Sequence, residues 1–380
     1  MISLIVFILI LSILVSIHEF GHFIAAKKMG IYVEEFGLGI PPRIFGKRIG
    51  ETIYSINLLP FGGFVRLRGE DALENPTEQF PDPRSFGSKT PLQRSIVLLA
   101  GVFMNVIFGV ALFYVFLVAN GFRSFHIPLI FDYDFAFGNV QGIDTVVFGL
   151  SEESPLKNEM ELGEAITSIG NIPVTSVEDV KSVVAQTQSN GEKEVTLIIK
   201  ILSPEEKTRE IRVIPYKDDE NVYLLGVYLG RSVQISYTTP KQKIFSGLLH
   251  SYNILSYSIS GFGQLIGLSV EQGSAELLSE SVTGPIGIYS VVDNILAYAN
   301  RVVILSLIDF TALISLSLAL VNVLPLPALD GGRIAFVFVE SIRGKRINPK
   351  LEALVHKVGI LVLMSLLLLV STRDIYRLFS

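Results

Sequence analysis

The chain has 380 residues, 49% of them hydrophobic and only 18% charged, with no Cys and a formal net charge of −5, and its mean hydropathy is +0.51. That balance is too apolar for a water-soluble globular chain of this length and places the protein in a membrane. The lack of Cys excludes disulfides, thiolate metal sites and cysteine catalysis, and the dispersed basic residues, with a pI near 5.7, exclude nucleic acid as a partner.

The first apolar run, residues 1–26, is long enough to span a bilayer and carries His18-Glu19-Phe20-Gly21-His22. It has no Lys or Arg ahead of the apolar stretch and no small-residue cleavage site before His18, so it reads as a retained helix, not a removed signal. On a helix, His18 and His22 project from one face and both imidazoles reach one metal ion with Glu19 beside them, the pattern of a zinc hydrolase. An HExxH match arises by chance in roughly one sequence of this length in a few hundred. The setting sharpens it, because an acid in a spanning segment needs a metal, a proton partner or a water-filled cavity.

Residues 31–70 alternate in the manner of strands, with Thr52 to Leu58 and Gly62 to Leu67 as the clearest, and read as a small β-hairpin unit. Periodicity alone is equally compatible with an ordinary cytosolic loop. Glu70 to Ser88 is a Pro- and Asp-rich connector. Thr90-Pro91 is an N-cap followed by Pro at the first helical position, opening a second span over 94–119. Its Asn105 reads as an interhelical hydrogen-bonding residue.

From about Gly121 to Lys243 the composition turns soluble and acidic, which marks an inserted α+β module with its core at 138–216. Strands are expected at Ile143 to Phe148, Ala165 to Ile169, Glu194 to Ile201 and Arg209 to Ile214, with a turn at Ser203-Pro204 and a helix capped by Ser176. The module holds no His, Asp and Glu cluster of its own. Residues 244–269 are apolar yet rich in Ser, Tyr and Gly and read as an interfacial helix. Spans follow at 302–332 and 355–371. Lone His126, His250 and His356 have no ligand-like spacing to one another and are taken as structural or surface residues.

A catalytic zinc usually has three protein ligands. The best third candidate is Asp330, in Asn322 to Gly332 (NVLPLPALDGG), a carboxylate at membrane depth between Pro and Gly residues. Lys and Arg concentrate between the first two spans and between the last two, which turns those loops to the cytoplasm and the acidic module outward. His18, His22 and Asp330 then fall at one depth.

HEFGH, EFGLG, PFGGFVRL, AGVFMN at Ala100 to Asn105, VTGPIGI at Val282 to Ile288 and NVLPLPALDGG occur in this order over nearly the whole chain. In these motifs the chain resembles the site-2 protease family of intramembrane zinc metalloproteases, in the bacterial branch that includes the regulator of sigma-E protease. The resemblance implies a polytopic α-helical membrane protein with four transmembrane helices, a membrane-reentrant β-loop and an inserted PDZ-like domain. It implies Zn²⁺ held by His18, His22 and Asp330, Glu19 as general base, and Asn322 lining the substrate groove. Residues Met160 to Ile166 depart from the usual PDZ pattern in having Gly163-Glu164 where Gly-Asp is usual, which leaves any PDZ ligand undefined. The expected activity is endopeptidase cleavage of transmembrane segments, of anti-sigma-factor or signal-peptide-remnant type, in a bacterial cytoplasmic or inner membrane. The partners are then a membrane-protein substrate and the lipid bilayer. The rival readings are a catalytically silent PDZ-containing scaffold, and a metal transporter, for which the spans lack a polar path.

Overall fold

The computed structural model describes residues 2–70, 82–189, 194–202, 207–217, 223–274, 283–297 and 302–379. In chain order these form α1 (Ile2–Lys28), β1 (Val33–Ile49), β2 (Thr52–Leu67), α2 (Pro91–Ala119), β3 (Ile127–Leu129), β4 (Asn139–Leu150), β5 (Glu164–Ile169), β6 (Ile172–Pro173), α3 (Val177–Ser189), β7 (Val195–Ile201), β8 (Lys207–Val213), β9 (Tyr216–Lys217), β10 (Tyr223–Leu224) and β11 (Val227–Ser236). Then come α4 (Pro240–Ile244), α5 (Ser246–Gln272), α6 (Pro285–Ala297), α7 (Val302–Val323), α8 (Asp330–Arg343) and α9 (Pro349–Phe379). The expected turn at Ser203-Pro204, most of the connector after Glu70, and Val282 lie outside the described residues. The chain divides into two units, residues 1–116 with 262–380, and residues 117–261.

In the first unit α1, α2, α7 and α9 are long and apolar enough to cross a membrane. The 27 residues of α1 reach about 40 Å at 1.5 Å per residue. Thr90 and Gln93 cap α2 reciprocally, each side chain accepting the other's backbone N–H, because the first turn of a helix has no internal acceptors for its donors. The third apolar segment does not run as helix through residue 332: α7 stops at Val323, since Pro325 and Pro327 cannot donate and clash with a preceding turn. Ala328 takes a left-handed φ of 77°, and α8 restarts at Asp330.

One cluster, with Ala25, Ala26, Ile31, Val33, Leu67, Val97 and Val337, buries the C-terminal end of α1. A second, with Phe7, Ile10, Leu14, Val292 and Ile314, buries its N-terminal half. Strands β1 and β2 bend so that residues 35–38 have partners on both sides, at 53–56 and at 63–66. The hairpin is thereby a four-segment sheet whose last segment, residues 63–67, is an edge.

The second unit is a seven-stranded sheet among the described residues, in the order β3-β11-β4-β5-β7-β8 with β6 on β5. Its core packs Val180, Val183 and Val184 of α3 against Leu197, Ile199 and Ile211. Ser176 accepts the Asp179 N–H, and Asp179 accepts the Ser176 N–H in return. The sheet extends past residue 216, because β11 pairs with β4 from Val227 to Ser236. Residues 246–261 of α5 also belong to this unit. Asn253 donates to the Phe137 carbonyl and Tyr257 to the Pro128 carbonyl, while the Tyr237 hydroxyl lies 3.1 Å from His250 Nδ1. Burial pushes the His250 imidazole down to about 4, so it stays neutral and structural, as its sequence setting suggested.

Candidate metal centre

His18 and His22 occupy successive turns of one face of α1, and both are buried. His18 Nε2 and His22 Nε2 are 3.1 Å apart, and Asp330 Oδ2 lies 2.9 Å from the first and 3.2 Å from the second. Tetrahedral zinc with bonds of about 2.0 to 2.1 Å separates its ligand atoms by about 3.3 Å, so this triangle has the size a zinc ion requires. The donor set also fits chemically. Two imidazole lone pairs and a carboxylate facing one another repel unless a cation lies among them.

Helix α2 sets the two rings. The His22 Nδ1–H donates to the Val97 carbonyl at 2.8 Å, which leaves the Nε2 lone pair for a metal. Asn105 Nδ2 lies 3.3 Å from His18 Nδ1, and Asn105 Oδ1 is buried with no partner. Amide O and N are interchangeable by shape, so turning the amide lets Oδ1 accept from a protonated His18 Nδ1. That is the tautomer a metal-binding Nε2 requires. Between them Gly101 lets the backbone of α2 lie against both rings: a Cβ there would stand 2.5 Å from His22 Nε2 and 2.8 Å from His18 Cε1. Asp330 is delivered by the break after α7. A Cβ on the following Gly331 would be 2.1 Å from the Leu324 carbonyl oxygen, so only Gly lets the chain fold back this tightly.

Glu19 lines a cavity of about 280 Å³ together with His22, Asp330, Phe64, Arg333 and His356. The Val65 N–H of the edge segment donates to Glu19 Oε2 at 3.1 Å, and Arg333 is paired with Glu70. The sequence therefore identified four residues that come together, His18, Glu19, His22 and Asp330. Asn322 is half-buried at the end of α7 and is not among the residues lining this cavity. Asn105, Val97, Gly101 and His356 were not seen as site residues. Only the four-residue spacing of Val97, Gly101 and Asn105, one face of α2, could have hinted at the first three.

An HExxH helix joined by a carboxylate from a distant helix break defines a metal-dependent hydrolase. The model of peptidase family M50 matches residues 6–366, and the chain belongs to that family. Similar proteins include the zinc metalloprotease RasP of Oceanobacillus iheyensis, 28% identical over 468 aligned positions covering 100% of both chains. Another is the regulator of sigma-W protease RasP of Bacillus subtilis, 30% identical over 465 positions covering 99% of each. This chain is a zinc metalloprotease of a membrane. Among solved structures, the PDZ domain of the SdrC-like protein of Listeria monocytogenes matches 27% of this chain and 93% of its own, at 15% identity and a TM-score of 0.19. That score is too low to bear on the fold.

Proposed function

We propose that the enzyme cuts transmembrane segments of membrane proteins near the cytoplasmic face, with His18, His22 and Asp330 holding the zinc and Glu19 as general base. The observation that carries this reading is the triangle of ligand atoms beside Glu19 at the wall of one cavity. Zinc, when bound, supplies Lewis acidity to a water and to the scissile carbonyl. Glu19 takes the proton of the attacking water and passes it to the leaving nitrogen. The Val65 N–H fixes Glu19 by Oε2 and leaves Oε1 for that proton.

A helical peptide bond is covered and its carbonyl already paired, so the substrate must unwind. The edge segment 63–67 offers a strand on which it can lie extended, in line with a reentrant loop that pairs with substrate. Asn322, in the last turn of α7 just before the break that delivers Asp330, would touch substrate outside the cavity. The name of the Bacillus subtilis relative favours a regulator of a sigma factor as substrate.

Four spans, α1, α2, α7 and α9, with the PDZ-like unit outside, accord with the Lys and Arg distribution. Packing within the first unit supports them: α6 meets the start of α1 through Asp293 with Ser3 and Tyr289 with Phe7. It meets the end of α9 through Asp374, which accepts the N–H groups of Gly284 and Gly287. The test is cleavage of a model transmembrane peptide by purified protein in detergent, with and without a zinc chelator. Glu19→Gln should keep its zinc and lose at least ~10²-fold in rate, whereas Asp330→Ala should lose the zinc itself. Near-normal cleavage by Glu19→Gln would refute Glu19 as the general base, whereas a wild-type protein with no chelator-sensitive cleavage would favour the silent scaffold.

A further inference from the structure

His356, in the first half of α9, has no spacing to the other histidines that suggests chemistry, yet it lines the cavity that holds Glu19, His22 and Asp330. Its two nitrogens have different surroundings. Nδ1 accepts the Ala328 N–H at 3.0 Å, which secures the left-handed residue, φ 77°, two positions before Asp330. The proton of the neutral ring is therefore on Nε2. That atom is buried, and no protein group among the described residues accepts from it. The Phe336 ring packs against the imidazole with centroids 5.7 Å apart, which holds its plane. A buried donor without an acceptor is rare in a native protein and costs stability. The residue that carries it lines the cavity where, on the proposed reading, the peptide is cut.

We propose that His356 is a substrate-contacting residue of the protease, its Nε2–H donating to a backbone carbonyl of the peptide seated in the cavity while Nδ1 holds the Ala328 turn. This inference rests on the proposed cleavage site. The imidazole's second nitrogen thus ties substrate binding to the loop that delivers Asp330. Gly359, one turn further along α9, lies against Pro327 of the same loop, where a Cβ would stand 2.3 Å from the Pro327 Cβ. This part of α9 is therefore held against that loop by packing.

Two substitutions separate the nitrogens. Asn at 356 can place its amide oxygen where Nδ1 accepts but has nothing at the Nε2 position, whereas Gln can place a donor there. The experiment uses full-length protein in detergent and a model transmembrane peptide, with peptide binding measured in the Glu19→Gln background and cleavage in the active enzyme. His356→Asn should keep zinc at the wild-type level, bind peptide roughly 3- to 10-fold more weakly, the size of one hydrogen bond, and cleave correspondingly slowly. His356→Gln should recover part of the binding. Wild-type binding and cleavage by His356→Asn would overturn the proposal, as would loss of zinc in step with activity, which would leave His356 a support for the Ala328 turn alone. A wild-type enzyme that binds the peptide without cutting it would instead refute the cleavage-site reading and this inference with it.

Discussion

In the proposed metal site, Val97, Gly101 and Asn105 would set the ligands without touching the ion. The Val97 carbonyl and the Asn105 amide each fix one imidazole tautomer, Ser315 donates to the Asn105 carbonyl at 2.8 Å and ties it to α7, and Gly101 leaves room for both rings. Losing such support lowers metal affinity by about 10- to 100-fold. Gly101→Ala should do so without removing a ligand, because its methyl group would stand within 3 Å of both imidazoles. Zinc per chain after dialysis against a weak chelator checks this; an alanine variant that retains its zinc as wild type does would mean that α2 can yield.

At the scale of elements, α8 carries Asp330 in its first turn and must be fixed against the α1–α2 pair. Arg94 near the start of α2 pairs with Glu340 of α8, both only 6% exposed by side chain, and Glu340 also accepts the Ile347 N–H at 3.1 Å. Removing one partner of a buried pair strands the other charge, at a cost of about 3 to 5 kcal/mol. Glu340→Ala should therefore unfold markedly earlier in detergent. The double variant Arg94→Met, Glu340→Leu should recover most of the loss, since apolar packing often replaces a buried ion pair without penalty. If the double variant is as unstable as the single one, the pair contributes something that packing cannot replace.

For the whole molecule the decisive quantity is the parity of membrane crossings. Of residues 244–269, all from Ser246 onward fall on α5, which is not among the helices apolar enough to cross. Were it to cross, α7 would run the other way and carry Asp330 to the far side of a hydrocarbon core about 30 Å thick. In the structure Asp330 Oδ2 is 2.9 Å from His18. The chain has no Cys, so single cysteines at Ser182, Gln272 and Ser341 can be labelled without background. A membrane-impermeant maleimide applied to intact cells should label 182 and 272 and spare 341. Protection at 272 with labelling at 182 would overturn the four-span arrangement.

Legible in the sequence alone were four long apolar runs, the hairpin, the α+β module and four residues, His18, Glu19, His22 and Asp330, that the structure brings together. These are local or compositional signals: apolar run length, alternation, a four-residue spacing, an acid where no acid is tolerated without a partner. Only the tertiary structure decided that α7 ends at Val323 and hands Asp330 across a proline break, that β2 supplies an N–H to Glu19, and that α2 sets both imidazoles. It also moved His356 from a lone histidine to the cavity wall and left Asn322 outside the cavity lining. Those features depend on which faces of distant helices meet. No spacing along the chain records that Ala328 and His356 lie a hydrogen bond apart, because the contact is made by a helix break and a second helix whose rotation is fixed only by packing.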